Sequence, residues 1–310
     1  MRFFSVVFHL CGKIMHLCNN AMLNYFYWDP NPAMFNFDLP LLGRPILWYG
    51  FFFALGFFLG YWVLVYLLRR YFIHVSHFSK KEINVKAAFF AERIALYVII
   101  GTIVGARLGD VLFYQDWSAV QKDPMILVRF WEGGLASHGG AVGVFLALFL
   151  FSRRYRKAGG NFSFLRVLDL VVIPAALGAC FIRLGNFFNQ EILGAFTKMP
   201  WGVIFGHPVD GGPALPRHPV QLYESLWYLL TFCILFLYSR KNPSLHKPGK
   251  ICGLFFILVF GFRFLIEFLK VEQSVFINST ACFRMGQYLS LPFIAVGIYF
   301  LMRKNARSER

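Results

Sequence analysis

Seven runs of about twenty apolar residues limit this chain more than any other feature, because each is long enough to cross the hydrocarbon core of a bilayer. They lie at about 46–68, 87–109, 133–152, 166–188, 219–238, 251–269 and 285–302. Hydrophobic residues make up 58% of the chain, far more than an ordinary soluble domain carries. The alternating segments of an outer-membrane barrel are not visible. The predicted fold is therefore all-α, a polytopic membrane protein with about seven transmembrane helices.

The remaining stretches predict one extension and one small lobe. Residues 1–24 contain an apolar run from Phe3 to Leu10 that is too short to span, so we treat them as an extension of unknown role. Residues 25–310 are predicted to form a single transmembrane helical domain. Within it, the proline- and glycine-rich stretch 189–218 predicts turns and a small extracytoplasmic lobe.

Basic residues are divided unequally between the two sets of loops. The loops after spans one, three, five and seven, with the adjoining helix ends, hold 19 of the 31 Lys and Arg residues but four of the 15 Asp and Glu residues. Such an excess marks the cytoplasmic side, so we predict the N-terminus outside and the C-terminus inside. The net charge of +16 is explained by these loops and does not indicate a nucleic-acid partner.

Small residues recur at every fourth position in the second and third spans. The two stripes are Gly101, Gly105 and Gly109 in one span and Gly139, Gly143 and Ala147 in the other. Stripes of this kind let two helix backbones approach closely. They predict tight packing within the bundle.

Polar side chains collect at the predicted outer ends of six spans. They are Tyr49, Arg107, Asp110, His138, Arg183, Asn186, Asn189, Glu191, Arg217, His218, Gln221, Glu224, Arg263 and Glu267. Solvation alone would not favour one leaflet over the other. Because ionisable groups inside a membrane are costly and usually functional, we predict one common site just inside the outer leaflet.

Each of these residues also has a purely structural interpretation. Arg263 and Glu267 are one helical turn apart and could simply pair with each other. His138 lies among glycines and could be a helix-packing histidine, while Gln221 and Glu224 could form a solvated first turn. All of these interpretations would have to hold together at one depth, so we favour a functional site.

The chemistry that this set suggests is the binding of an anionic head group. Arg183 and Arg263 could hold phosphate oxygens in the bidentate geometry that guanidinium groups favour. His138 could act as a base near neutral pH, and Glu191 or Glu267 could orient the arginines or a glycerol hydroxyl. No His-Glu-x-x-His, Gly-x-Ser-x-Gly or Walker A motif is present, so a protease, hydrolase or ATPase has no motif in its favour.

Four segments resemble signature motifs of the bacterial prolipoprotein diacylglyceryl transferases. The segments 133–140, 183–191, 216–224 and 263–268 are similar to the family's His-Gly-Gly, Arg-x-Gly-Asn-Phe-x-Asn-x-Glu, Arg-His-Pro-x-Gln-Leu-Tyr-Glu and Arg-Phe-x-x-Glu-Phe motifs. Tyr49 and Gly50 are similar to the family's Tyr-Gly in the first span. The motifs occur in the family's order between about 35 and 302, which makes the resemblance specific.

The chain departs from the family pattern at four positions. The family has glycine at Gln190, an arginine near Ala195, tyrosine at Val259 and commonly arginine at Lys270. These departures concern fine contacts to the substrate and leave the expected reaction unchanged.

The resemblance implies an enzyme of the bacterial inner membrane that needs no metal or soluble cofactor. It would move the sn-1,2-diacylglyceryl group of phosphatidylglycerol to the lipobox cysteine thiol of a preprolipoprotein, releasing glycerol phosphate. The thiol must lose its proton to become the nucleophile. The implied catalytic residues are His138, Arg183, Arg263 and Glu191. The implied lipid-binding residues are Arg183, Arg263, Asn186, Tyr49, Glu267, His218 and Gln221.

Two other functions stay open at this level. A transporter of an anion or lipid could use the same arginines, although no ionisable residue marks the bilayer midplane and no repeat symmetry is visible. A lipid-binding or assembly factor would perform no chemistry, which the combination of a histidine with two arginines argues against. The proton acceptor for the thiol could be His138, Glu191 or Glu267.

Overall fold

The computed structural model describes residues 25–35, 45–75, 78–115, 117–127, 129, 134, 136–156, 162–241, 248–271 and 283–303. The predicted extension at 1–24 lies outside them. The helices are α1 (Trp48–Val75), α2 (Lys80–Phe113), α3 (Trp117–Lys122), α4 (Ser137–Tyr155), α5 (Phe164–Phe188), α6 (Val220–Lys241), α7 (Lys250–Ile266) and α8 (Met285–Met302). The strands are β1 (Phe26–Trp28), β2 (Val203–Phe205) and β3 (Pro216–Arg217), and 3-10 turns lie at Pro124–Leu127 and Glu267–Leu269.

Six of the described helices are long and apolar enough to cross a membrane, namely α1, α2, α5, α6, α7 and α8. This confirms the prediction of an all-α, multi-pass membrane protein. The third predicted span corresponds to α4, which has 19 residues and is not among the six. The count of seven spans and the extracytoplasmic lobe therefore stay predictions.

The observed helices run past the apolar runs that predicted them. The first continues to Val75, and the second begins at Lys80 rather than near residue 87. Ser79 caps the start of α2, and the Glu82 side chain reaches back to the Ser79 amide at 2.8 Å. Backbone hydrogen bonds and caps decide where a helix ends, so polar ends extend it beyond its apolar core.

Contacts along the chain divide it into two compact units. The first consists of Met1–Gly56, Gly178–Thr231 and Ile257–Ala295. The second consists of Phe57–Leu177, Phe232–Phe256 and Val296–Arg310. The prediction that 25–310 is one domain stays a prediction.

A small sheet anchors the segment that follows α5 in the first unit. Strand β2 pairs in parallel with β1 and antiparallel with β3. Trp28 stacks on Phe187 with ring centroids 4.7 Å apart, and its indole N–H donates to the Phe187 carbonyl at 3.1 Å. Phe187 also packs with Val203 and Phe205 in a buried cluster. These contacts hold the end of α5, where the Arg183–Glu191 motif lies.

Gln190 has a left-handed backbone conformation, with φ at 52°. Glycine adopts this conformation without a steric cost, which gives a physical reason for a glycine at this position. In this chain, two hydrogen bonds of the buried Gln190 side chain offset the steric cost of that backbone conformation. Its Nε2 donates to Asp29 Oδ1 at 3.1 Å, and its Oε1 accepts from the His207 amide at 2.8 Å. The glutamine at this position therefore links Asp29, directly after β1, to His207, in the turn after β2.

We expect this contact to weaken in acid. The His207 side chain hydrogen-bonds the Asp29 carboxylate, and Gln190 adds a second bond, so the pKa of Asp29 lies below its ordinary value of 3.8. A carboxyl group with a lowered folded pKa stabilises the folded state above its unfolded pKa, and that contribution is lost as the pH falls through the folded pKa. Hydrogen-exchange protection of the His207 and Val209 amides should therefore decrease below about pH 4.

Asp29→Asn is the matched control for this prediction. It should show reduced protection of the His207 and Val209 amides at pH 6 and little further loss between pH 5 and pH 3. If both proteins lose protection equally over that range, a group other than Asp29 is responsible.

The predicted glycine stripes pack against each other in the second unit. A Cβ added to Gly101 would lie 2.6 Å from the Gly143 carbonyl oxygen, and one added to Gly109 would lie 2.8 Å from the Gly139 Cα. Real Cβ atoms do not approach backbone so closely, so α2 and α4 touch backbone to backbone. The prediction of tight packing along these stripes is confirmed.

Candidate active site

Arg183 is the centre of a charged cluster in the first unit. Its side chain lies in the second-to-last turn of α5 and is only 13% exposed. Nη1 donates to Asn186 Oδ1 at 2.9 Å, which is the contact expected of residues three apart on a helix. On its other side, Nε lies 3.1 Å from Glu224 Oε2. The guanidinium group is thus held from two directions.

Glu224 is fully buried between two cations. Its Oε1 accepts from Lys270 Nζ at 2.9 Å, while Oε2 faces Arg183. A buried carboxylate is tolerated only where paired charges and hydrogen bonds replace its hydration. The interpretation of Glu224 as part of a solvated first turn is therefore wrong, and the same holds for the fully buried Gln221.

A chain of hydrogen bonds continues from Arg183 through the family motif. Asn186 Nδ2 donates to Glu191 Oε1 at 2.7 Å, and Asn189 Nδ2 lies 3.4 Å from the same oxygen. Gln221 Nε2 donates to the Glu191 backbone carbonyl at 2.8 Å. These bonds fix both the side chain and the backbone of Glu191, so its carboxylate has a defined orientation.

Tyr49 reaches the same cluster from the start of α1. Its ring packs against Gly185, where an added Cβ would lie 2.8 Å from Tyr49 Cδ2. The phenol interacts electrostatically with both Glu191 and Arg183. Glycine at position 185 is therefore required for the close approach of α1 to α5.

Arg263 and Glu267 lie at the end of α7, and they do not pair with each other. Among the described residues, the recorded ion-pair partner of Glu267 is Lys270, with Oε2 and Nζ 3.8 Å apart. The chain changes from α-helix to a 3-10 turn at Glu267, and the i, i+3 spacing of that turn brings Lys270 close to the Glu267 carboxylate. Arg284 braces this turn by donating to the Glu267 carbonyl at 2.6 Å and to the Lys270 carbonyl.

His218 is half-buried beside the cluster's supporting loop. Its Nδ1 lies 3.4 Å from the Tyr223 hydroxyl, and its amide donates to the Ala195 carbonyl at 3.0 Å. The Ala195 amide donates in turn to the Leu269 carbonyl at 2.8 Å. His218 thus helps to join the segment after α5 to the end of α7.

His138 belongs to the second unit, in the first turn of α4, and its side chain is exposed. The segment before it is held by α2, because Arg107 Nη1 donates to the Gly134 carbonyl at 3.0 Å and the Ala136 amide to the Ala106 carbonyl at 3.0 Å. Arg107 also pairs with Asp110 at 3.4 Å. These two charged residues position the His138 segment. His138 borders a largely apolar cavity of about 730 Å³ between α2 and α4.

The sequence interpretation gave three residues of the first unit's cluster no specific role. Glu224 was included in the common site but not among the catalytic or lipid-binding residues, Tyr228 was in no motif, and Lys270 was noted only as a departure. Helical spacing could have indicated two of them, Glu224 and Tyr228. Gln221, Glu224 and Tyr228 recur at intervals of three and four, which places them on one face of a helix.

Comparison with known proteins identifies one family. The sequence profile of prolipoprotein diacylglyceryl transferase matches residues 37–303. Three similar proteins are all named phosphatidylglycerol–prolipoprotein diacylglyceryl transferase. The protein from Chloroherpeton thalassium is 39% identical over 93% of this chain and 98% of its own length. The one from Tolumonas auensis is 38% identical over 92% and 99%. The one from Protochlamydia amoebophila is 36% identical over 91% and 96%.

Proposed function

Because this chain belongs to the prolipoprotein diacylglyceryl transferase family, we infer that it transfers the diacylglyceryl group of phosphatidylglycerol to a prolipoprotein. The protein is a transferase of the first step of lipoprotein maturation. The transporter alternative has no support from the family. We take the acceptor atom to be the thiol sulfur of the lipobox cysteine.

The proposed step transfers one proton, forms one C–S bond and breaks one C–O bond. The cysteine thiol gives its proton to a base, and its sulfur forms a C–S bond with the glycerol carbon that carries the phosphate. The C–O bond at that carbon breaks, and glycerol phosphate leaves with the electron pair. Negative charge grows on the phosphate as this bond lengthens, so a fixed cation beside it lowers the barrier.

The observation that carries this proposal is the bracing of Arg183. Asn186 and Glu224 hold its guanidinium plane before any substrate arrives. A preorganised cation stabilises the leaving group without a reorganisation cost during the reaction. We place the lipid phosphate against Arg183 and Arg263, where the two guanidinium groups would grip its oxygens.

The remaining residues of the first unit would support this grip. Glu191, oriented by Asn186, would position the head group together with Tyr49. Gln221 is fully buried and holds the Glu191 backbone, so we assign it a supporting role. Lys270 supplies a third cation, and Glu267, its partner, limits the positive charge of the cluster when no lipid is bound. His218 would stabilise the loop that carries Glu191.

His138 is our first candidate for the base. An imidazole can accept a proton near neutral pH, and the backbone before His138 is held by Arg107 and Asp110. Glu191 and Glu267 are the other candidates. We place the reaction toward the outer leaflet of the inner membrane, with the C-terminus in the cytoplasm, because the basic loops predict that orientation.

Mass spectrometry of a lipobox peptide tests the proposed function. The purified protein is incubated with the peptide and phosphatidylglycerol vesicles. We expect the peptide to gain the mass of one diacylglyceryl group, attached by a thioether that resists hydroxylamine. A peptide with serine in place of the lipobox cysteine is the control and should stay unmodified.

An unmodified cysteine peptide would contradict the transferase assignment for these substrates. The transporter alternative makes a different prediction, because it requires flux of an anion or lipid across proteoliposomes without any change in the peptide. The two assays can be run on the same preparation.

A further inference from the structure

A tyrosine outside the family motifs closes the charged cluster around Arg183. Tyr228 lies in α6 one turn after Glu224, and only 4% of it is exposed. Its hydroxyl lies 3.3 Å from Glu224 Oε1, to which it donates. The same hydroxyl is hydrogen-bonded to Arg183, and Arg263 interacts with it electrostatically. The phenol therefore interacts with both arginines that we place against the lipid phosphate.

The hydroxyl of Tyr228 bridges two opposite charges. It has one hydrogen, which goes to the carboxylate of Glu224, and its lone pairs accept from the guanidinium group of Arg183. Hydrogen bonds to ionised groups are stronger than neutral ones, and a buried group that loses such a bond is left unsatisfied. Tyr228 thus closes a triangle with Arg183 and Glu224 and limits how the guanidinium plane can rotate.

In this chain the hydroxyl beside Arg183 comes from α6 and not from α7. Val259, where the family pattern has a tyrosine, is apolar and buried. The turn of α7 beside it lies against α6, because Trp227 Nε1 donates to the Leu258 carbonyl at 2.9 Å and the Trp227 ring stacks on Phe262. No hydroxyl comes from position 259, whereas Tyr228 presents one from the neighbouring helix.

We propose that Tyr228 is a positioning residue for diacylglyceryl transfer. Its hydroxyl fixes the guanidinium group of Arg183 against Glu224, so that the remaining N–H groups stay directed toward the phosphate of the donor lipid. This inference rests on the proposed function. It predicts an effect on the donor lipid and none on the binding of the acceptor peptide.

The test compares Tyr228→Phe with Tyr238→Phe. The control removes a phenol hydroxyl from the same helix, at a half-buried ring that lies under Lys250 instead of in the cluster. For Tyr228→Phe, we expect the KM for phosphatidylglycerol to rise and kcat to fall, each roughly tenfold, with the KM for the lipobox peptide unchanged. Tyr238→Phe should behave as the wild type. Because a KM does not depend on how much of the enzyme is folded, the comparison holds even if Tyr228→Phe is less stable.

A second variant separates hydrogen bonding from ring packing. Tyr228→His keeps a donor and an acceptor on a ring and should recover part of the affinity for phosphatidylglycerol. Three results would overturn the proposal: unchanged kinetics in Tyr228→Phe, a fall in kcat with both KM values unchanged, or no recovery in Tyr228→His. If the wild type itself transfers no lipid, the proposed function fails, and that outcome is distinct from all three.

Discussion

Replacing Arg183 with alanine should lower diacylglyceryl transfer by about a thousandfold or abolish it. The substitution removes the cation that we place against the leaving phosphate. It also leaves Glu224 buried without one of the two cationic partners that it has among the described residues, the other being Lys270. Transfer to a lipobox peptide in phosphatidylglycerol vesicles, followed by mass spectrometry, measures the effect. Retained turnover would rule out this role for Arg183.

Three comparisons make this result specific. Arg183→Lys keeps the charge but cannot contact Asn186 and Glu224 in the same geometry, so activity should be intermediate. Adding Glu224→Gln to Arg183→Ala removes the excess buried negative charge that the loss of Arg183 leaves, which should restore thermal stability but not activity. Arg93→Ala removes an exposed arginine that lies over Phe89, and it should leave the transfer rate unchanged.

Replacing Gly143 with alanine should destabilise the protein by about 1–3 kcal/mol or more. The new Cβ would overlap the Gly101 carbonyl oxygen and lie 2.8 Å from the Gly105 Cα. Both are backbone atoms, so no side chain can move aside and α2 must separate from α4. The midpoint of thermal unfolding in detergent, followed by circular dichroism, should fall by several degrees.

Gly261→Ala is the matched control for this effect. It makes the same chemical change inside α7, where an added Cβ meets no atom within 4 Å. Because alanine favours a helix over glycine, this variant should melt at or above the temperature of the wild type. A Gly143→Ala protein that melts like the wild type would show that α2 and α4 do not pack through these glycines.

Local features of the site followed from the sequence because they depend on helical spacing. Arg183 and Asn186 are three residues apart, and they make the contact which that spacing predicts. The glycine stripes of α2 and α4 also pack as their four-residue repeat indicates. The roles of the predicted site residues stay predictions, since no comparison tests them.

Spacing alone was not enough where the backbone changes conformation or a partner comes from elsewhere. Arg263 and Glu267 have the spacing of a helical pair, but a 3-10 turn begins at Glu267, and its carboxylate pairs with Lys270 within that turn. Gln221 and Glu224 follow Pro219 as a solvated first turn would, yet both are fully buried. Nothing local to these residues indicates how the rest of the chain covers them.

The sequence by itself determined the membrane class, the approximate positions of the six long apolar helices and the family, because apolar length and motif order are properties of the linear chain. Tertiary structure decided which charges meet. Glu224 takes its partners from α5 and from the end of α7, far away along the chain, at Arg183 and Lys270. The tertiary structure also places Tyr228, which no motif includes, beside Glu224. A buried carboxylate must find cations wherever helix packing supplies them, and the packing is set by the apolar faces rather than by the charged residues themselves.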